Sequence, residues 1–229
     1  WKSREMEGGP MPYTMLMVGD KVVGGAMPLP DQAAEMGAPS HWIAYIATDD
    51  VDAAAIRTTE LGGKVLQAPF DIPQVGRIAI MQDPQGAVFA GFTAQGDMPP
   101  GPSKEEPGAF SWAELMTSNW EEAFDFYSGL FGWEKGEAIA MGDEGTDQLF
   151  SSNGEGAGGM MNLTAEMPMP PMWIYYVTTD DIVASIARIE QNGGTKMNGP
   201  MEVPGGGQVA QFMDSQGGAF ALYQHGAEA

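Results

Sequence analysis

The chain has 229 residues, with 31 acidic against 10 basic side chains, a net charge of −21 and no cysteine. A hydrophobic share of 43% beside 18% charged residues describes a folded chain of one large or two small domains. The acidity, with no Lys/Arg cluster, argues against a nucleic-acid partner. No run of about 18 apolar residues exists to span a membrane, and zero cysteines excludes disulfide and thiolate chemistry and fits a cytoplasmic protein.

Along the chain, "YTMLMV" (Tyr13–Val18) and "GGAMPL" (Gly24–Leu29) read as strands. "WIAYIATDD" (Trp42–Asp50) is a β-branched and aromatic strand that ends in two aspartates suited to cap a helix. The helix runs to Leu61, where Gly62-Gly63 stops it with a left-handed cap. Two or three short strands follow, with "DPQG" (Asp83–Gly86) as the turn between the last two. Ala94–Gly108 is rich in Pro, Gly and charge and reads as a linker. Beyond it, Phe110–Thr117 is predicted as a strand and Asn119 as a helix cap, with Phe124, Phe126, Tyr127, Leu130 and Phe131 on the buried side. The strands "DQLFSS" and "GGMMNL" come next, then "WIYYVTTDD" (Trp173–Asp181) and another helix to Asn192.

These segments repeat. With an offset of 131 residues, Trp42–Phe92 aligns with Trp173–Tyr223 without a gap, and 19 of the 51 positions are identical. "YTMLMV" and "GGAMPL" correspond to "DQLFSS" and "GGMMNL", so Trp1 corresponds to Trp133. Four β-α-β-β-β modules are expected: 1–30, 41–94, 109–165 and 172–225. The first begins after its own strand and helix, about 25 residues short of a complete repeat. The duplicated aspartates suit helix caps better than metal ligands, and "GEGAGG" (Gly154–Gly159) opens a strand, which makes it a turn and not a phosphate loop.

In combination, the paired modules, "FYSGLFGW", "TDDVDAA" and "GRIAIMQDPQGAVFAGF" resemble the glyoxalase/bleomycin resistance/extradiol dioxygenase (vicinal oxygen chelate) superfamily, and within it the tandem two-domain proteins. The resemblance implies an α+β fold of four βαβββ modules paired into two glyoxalase-like domains. Each would be a cup-shaped mixed sheet with flanking helices and a ligand site inside the cup. The domains would be 1–94, lacking its first strand and helix, and 109–229, joined by the linker 95–108.

The resemblance also implies where metal ligands belong. The first-strand ligand lies seven residues before the helix cap in odd modules and six in even ones, which gives Trp112, Ile43 and Ile174. The last-strand glutamate position gives Ala90 and Ala221, and the matching strands of modules one and three offer only Ala26 or Met27 and Met160 or Met161. Thioether sulfur is too soft for the divalent ions of this family. No metal and no cofactor is therefore expected. His41 and His225, at the strand entrance and near the C-terminus, read as surface residues.

Alternation along the strands points Ile43 and Tyr45, Ile174 and Tyr176, and Trp112, Glu114 and Met116 into the cups, with Phe92 and Tyr223 from the last strands. This lining suits an organic ligand, and it equally suits a filled core. Glu114 is the candidate catalytic residue, as a carboxylate on an apolar strand with a raised pKa; the bland alternative places it at a solvated rim. Arg77, with Asp71, Glu202 and Gln208, is expected on loops over the cup mouths, holding an anionic group or a neighbouring carboxylate. The expected function is binding of a small apolar or cationic organic compound, an antibiotic among the candidates, by a monomer or homodimer. The alternative is an enzyme of the same fold, either metal-dependent (lyase, isomerase or dioxygenase) or a metal-free acid/base catalyst.

Overall fold

The computed structural model describes residues 1–6, 12–35, 37–142, 145–167, 169–204 and 206–226. Module one supplies β1 (Lys2–Glu5), β2 (Thr14–Val18), β3 (Lys21–Ala26) and a short α1 (Asp31–Glu35). Module two comprises β4 (Tyr45–Ala47), α2 (Val51–Glu60), β5 (Lys64–Ile72), β6 (Gly76–Gln82) and β7 (Val88–Ala94). Module three is β8 (Phe110–Thr117), α3 (Trp120–Phe131), β9 (Glu134–Ala140), β10 (Thr146–Ser152) and β11 (Glu155–Asn162). Module four is β12 (Met172–Thr178), α4 (Ile182–Gln191), β13 (Thr195–Glu202), β14 (Gln208–Met213) and β15 (Ala219–Gln224). The fold is mixed α+β, as the module pattern predicts.

The repeat reappears in three dimensions with the same offset. β4 runs parallel to β7 with Tyr45 opposite Ala90 and Ala47 opposite Phe92. β12 runs parallel to β15 with Tyr176 opposite Ala221 and Thr178 opposite Tyr223. Of each aspartate pair the second is the cap: Asp50 accepts from the Ala53 amide and Asp181 from the Ala184 amide. Gly62 and Gly193 follow the two helices at φ 88° and 87°, a conformation that a side chain disfavours. Asn119 caps α3, and Gly132 ends it in the left-handed region. Asn153 and Gly154, both at positive φ, form the tight turn between β10 and β11, so of "GEGAGG", read as a turn, only Gly154 is one and Glu155–Gly159 belong to strand β11.

Modules three and four share one eight-stranded sheet, in the order β13-β14-β15-β12-β8-β11-β10-β9. Modules one and two form separate sheets, β1-β2-β3 and β4-β7-β6-β5. β8, whose neighbours are β12 and β11, has no counterpart strand before β4 among the described residues. β4 is accordingly an edge with β7 alone beside it, and only three residues of the predicted strand pair; Trp42 and Ile43 lie outside it. β12, held on both sides, keeps seven residues, six of them buried.

The described residues form two compact units interleaved along the chain. One unit contains Trp1–Trp42, Pro99–Trp112 and Tyr175–Ala229; the other contains Ile43–Met98 and Ala113–Ile174. In the first, Val177, Ile182, Ala210, Phe212 and Leu222 form the core under α4. In the second, the core is aromatic. Tyr127 of α3 is fully buried, stacks on Trp133 at 5.2 Å and meets Phe89 and Trp173 edge-on at 5.3 Å each. Trp133 in turn stacks on Phe150 at 4.4 Å. Burying rings of this size dominates the stability of such a core.

Candidate functional site

α2 covers one face of the β4-β7-β6-β5 sheet, and α3 and α4 cover one face of the eight-stranded sheet, so the cup lining expected from the resemblance belongs to the opposite faces. On β6 and β7, Met81 faces α2, accepting from the Thr58 hydroxyl, and Gly91 lies against Val51 and Met81. Alternation therefore puts Tyr45, Ile78, Ile80 and Phe92 on the other face. Tyr45 meets Phe92 edge-to-face at 6.2 Å and is 43% exposed. Half-buried Ile43 precedes this strand.

Arg77 falls elsewhere. Its neighbour Ile78 lies on the Phe92 face, so Arg77 turns toward α2, where Nε and Nη2 donate to the two Asp52 oxygens at 2.7 and 3.0 Å. Nη1 donates to Asp71 at 3.0 Å across the β5–β6 hairpin. The predicted mouth loops are thus strand hairpins, with Asp71 paired to Arg77 and Glu202 to Gln208. The arginine holds neighbouring carboxylates, the second of the two roles open to it, and hydrogen bonds from it keep the Asp52 carboxyl below its usual range.

In the other unit, Tyr176 and Tyr223 lie on the face opposite the α4 core. The Gln211 amide donates to the Tyr176 hydroxyl at 3.3 Å, and Tyr223 meets His225 edge-on at 4.7 Å. Gly207 lies against Tyr223, where a Cβ would come within 2.6 Å of the ring. Trp112 is half-buried on β8. His41 is exposed and hydrogen bonds the Pro39 carbonyl oxygen; His225 is exposed too.

The most unusual chemistry lies on β8, β10 and β11. Glu114 is 5% exposed, so it is buried and not at a rim; Met116 on the same face is buried at 3%, and Ile174 of β12 at 5%. Across from Glu114 on β11 stands Gly159, and one strand further Asp147 of β10 reaches over the same spot. A Cβ on Gly159 would collide with Asp147 Oδ1 and approach the Glu114 oxygens to 2.7 and 2.9 Å. The bare glycine therefore lets two carboxyl groups meet. Burial raises the pKa of Asp147, opposed in part by hydrogen bonds from Glu114 and the Met160 amide. Sequence reading singled out Glu114 but missed Asp147; the one available signal was that "DQLFSS" sits opposite "GGMMNL" with an acid where the chain is otherwise apolar. In module one, Tyr13 takes the equivalent place, its ring over Gly25.

A second buried carboxyl has a structural role. Asp83 Oδ1 accepts the amides of Gln85, Gly86 and Ala87, which closes the "DPQG" turn. Its Oδ2 accepts from the Tyr127 hydroxyl at 3.1 Å, and that hydroxyl accepts from Trp173 Nε1 at 3.0 Å. Burial pushes the Asp83 carboxyl up against these four bonds. Asp214 closes the matching turn in module four.

A family model for the Glyoxalase/Bleomycin resistance protein/Dioxygenase superfamily matches residues 1–90 and 109–222, and the chain belongs to this superfamily. It is 31% identical over 218 residues to "Putative glyoxylase CFP32" of Mycobacterium tuberculosis, covering 94% of this chain and 81% of that one. It is also 31% identical over 192 residues to "Anthracycline biosynthesis protein DnrV" of Streptomyces peucetius, covering 82% and 67%. Among solved structures, the Mn(II)-bound glyoxalase of Novosphingobium aromaticivorans superimposes with a TM-score of 0.59 at 16% identity, covering 100% of this chain and 76% of that one. Homoprotocatechuate 2,3-dioxygenase of Arthrobacter globiformis gives 0.61 at 15%, covering 97% and 72%. These last two share the fold.

The positions at which the resemblance implies metal ligands carry Trp112, Ile43, Ile174, Ala90 and Ala221. Ala90 and Ala221 are fully buried methyl groups opposite Tyr45 and Tyr176. None of the five has an oxygen or imidazole donor, so these residues do not fit a divalent metal. Among the described residues no three His, Asp or Glu side chains gather elsewhere. No helix among them is long and apolar enough to cross a membrane.

Proposed function

We propose that the chain is a small-molecule-binding member of the superfamily, which holds an apolar or cationic organic compound on the sheet faces opposite its helices and does so without the family's metal. The observation that carries this reading is that Trp112, Ile43, Ile174, Ala90 and Ala221, at the positions where the family resemblance implies metal ligands, have no oxygen or imidazole donor. Aromatic and apolar side chains with a few polar tips suit an organic ligand. The −21 charge enriches cations at the surface. The name of the Streptomyces relative, for anthracycline biosynthesis, adds planar aromatic compounds to the candidates. The protein works as a cytoplasmic monomer or homodimer in this reading.

The test is a titration with an anthracycline followed by tryptophan and tyrosine fluorescence. Saturable quenching is expected, weakened at least tenfold by Tyr45→Ala or Tyr176→Ala. Absence of saturable binding up to the solubility limit across apolar, aromatic and cationic probes overturns the reading. A second reading, a metal-free acid/base enzyme, is supported by the buried Glu114 and its contact with Asp147. Turnover that is abolished by Glu114→Gln in metal-free buffer selects it.

A further inference from the structure

Asp147 Oδ1 is a buried oxygen that no N–H or hydroxyl of the described residues reaches. Facing it across the bare Cα of Gly159 is the Glu114 carboxyl, 95% removed from solvent by its 5% exposure. The strands around Asp147 offer no compensating charge at this point: β11 presents the Met160 amide, Gly159 and Met161, and β9 presents Ile139 opposite Asp147. Two buried carboxylates in contact cannot both ionise without strong repulsion, and a hydrogen bond between two carboxyl groups requires a proton on one of them.

We propose that Glu114 and Asp147 hold one proton between them at neutral pH, which makes the pair a single positioned Brønsted acid on the sheet face opposite α3. Gly159 is its positioning residue, because any side chain there would separate the two groups. The proposal relies on the ligand-binding reading only for what the proton is used for, namely donation to an oxygen of a bound compound. The proton itself belongs to the ligand-free protein, so the two ideas fail separately.

The experiment is infrared spectroscopy of the full ligand-free chain in deuterated buffer near neutral pH, integrating the carboxylic-acid C=O band per chain. The Glu114→Gln/Asp147→Asn double variant is expected to lose one acid equivalent, and each single variant no more than one. Asp83 is unchanged in all four proteins and cancels. Circular dichroism confirms folding of each variant, and a Glu114→Leu/Asp147→Leu double variant replaces the amide pair if that one fails to fold. A band left unchanged by the double variant means both groups are ionised in the native chain and overturns the proposal. Loss of two equivalents in the double variant means two independent acids and also overturns it.

Discussion

Gly159 shows how one missing side chain organises chemistry. Its register places Glu114 beside it on β8, and the neighbouring β10 brings Asp147 over the same Cα. Gly159→Ala is expected to destabilise by about 1–3 kcal/mol in urea denaturation, because the new methyl group must displace buried carboxyl oxygens. Adding Glu114→Ala and Asp147→Ala together should recover part of that loss; no recovery would mean that the clash is elsewhere. The hydrogen-bonded chain from Trp173 through Tyr127 to Asp83 gives a second residue-level test. Tyr127→Phe keeps the ring packing but leaves two buried partners unsatisfied, and is expected to cost about 1–3 kcal/mol. Glu114 was legible because an acid interrupts an apolar strand. Asp147 was not, because its importance comes from a cross-strand neighbour two strands away, which local pattern does not encode.

At the scale of elements, the caps separate two adjacent aspartates that look equivalent in sequence. Asp50→Ala and Asp181→Ala are each expected to lower stability by about 1 kcal/mol, as each removes an amide's acceptor at the first helical turn. Asp49→Ala and Asp180→Ala should be close to neutral by the same measurement. The helix ends and the turns at Asp83 and Asp214 followed from the 131-residue offset. What did not follow was strand length. "WIAYIAT" and "WIYYVTT" are near copies, yet the first is a three-residue edge and the second a seven-residue internal strand. The difference lies in neighbours and not in propensity. Arg77 shows the same limit, since only the hairpin geometry reveals that it turns to Asp52 and Asp71.

Over the whole molecule, charge dominates the dependence on solution conditions. With 31 acidic and 10 basic residues, self-repulsion opposes compaction, so raising the salt from low ionic strength to about 0.5 M is expected to raise the Tm. The buried carboxyls act in the same sense with pH. Asp83 and Asp147 both titrate above their unfolded value of 3.8, so the folded state binds more protons than the unfolded one between those values. Their contribution is therefore greatest below the unfolded pKa and is lost as pH rises through the folded one. Asp83→Asn, followed by urea unfolding across pH, is expected to flatten that decline; a steeper decline would contradict the assignment.

In the function proposed above, a fold that also occurs in an Mn(II)-bound glyoxalase binds an organic compound without a metal. Calorimetric titration of chelator-treated protein with an anthracycline, repeated with Mn(II), Ni(II) or Zn(II) present, tests it most directly. One saturable binding isotherm with the same affinity in every arm is expected, with no stoichiometric uptake of metal. Binding that appears only after one equivalent of metal has been taken up would contradict it.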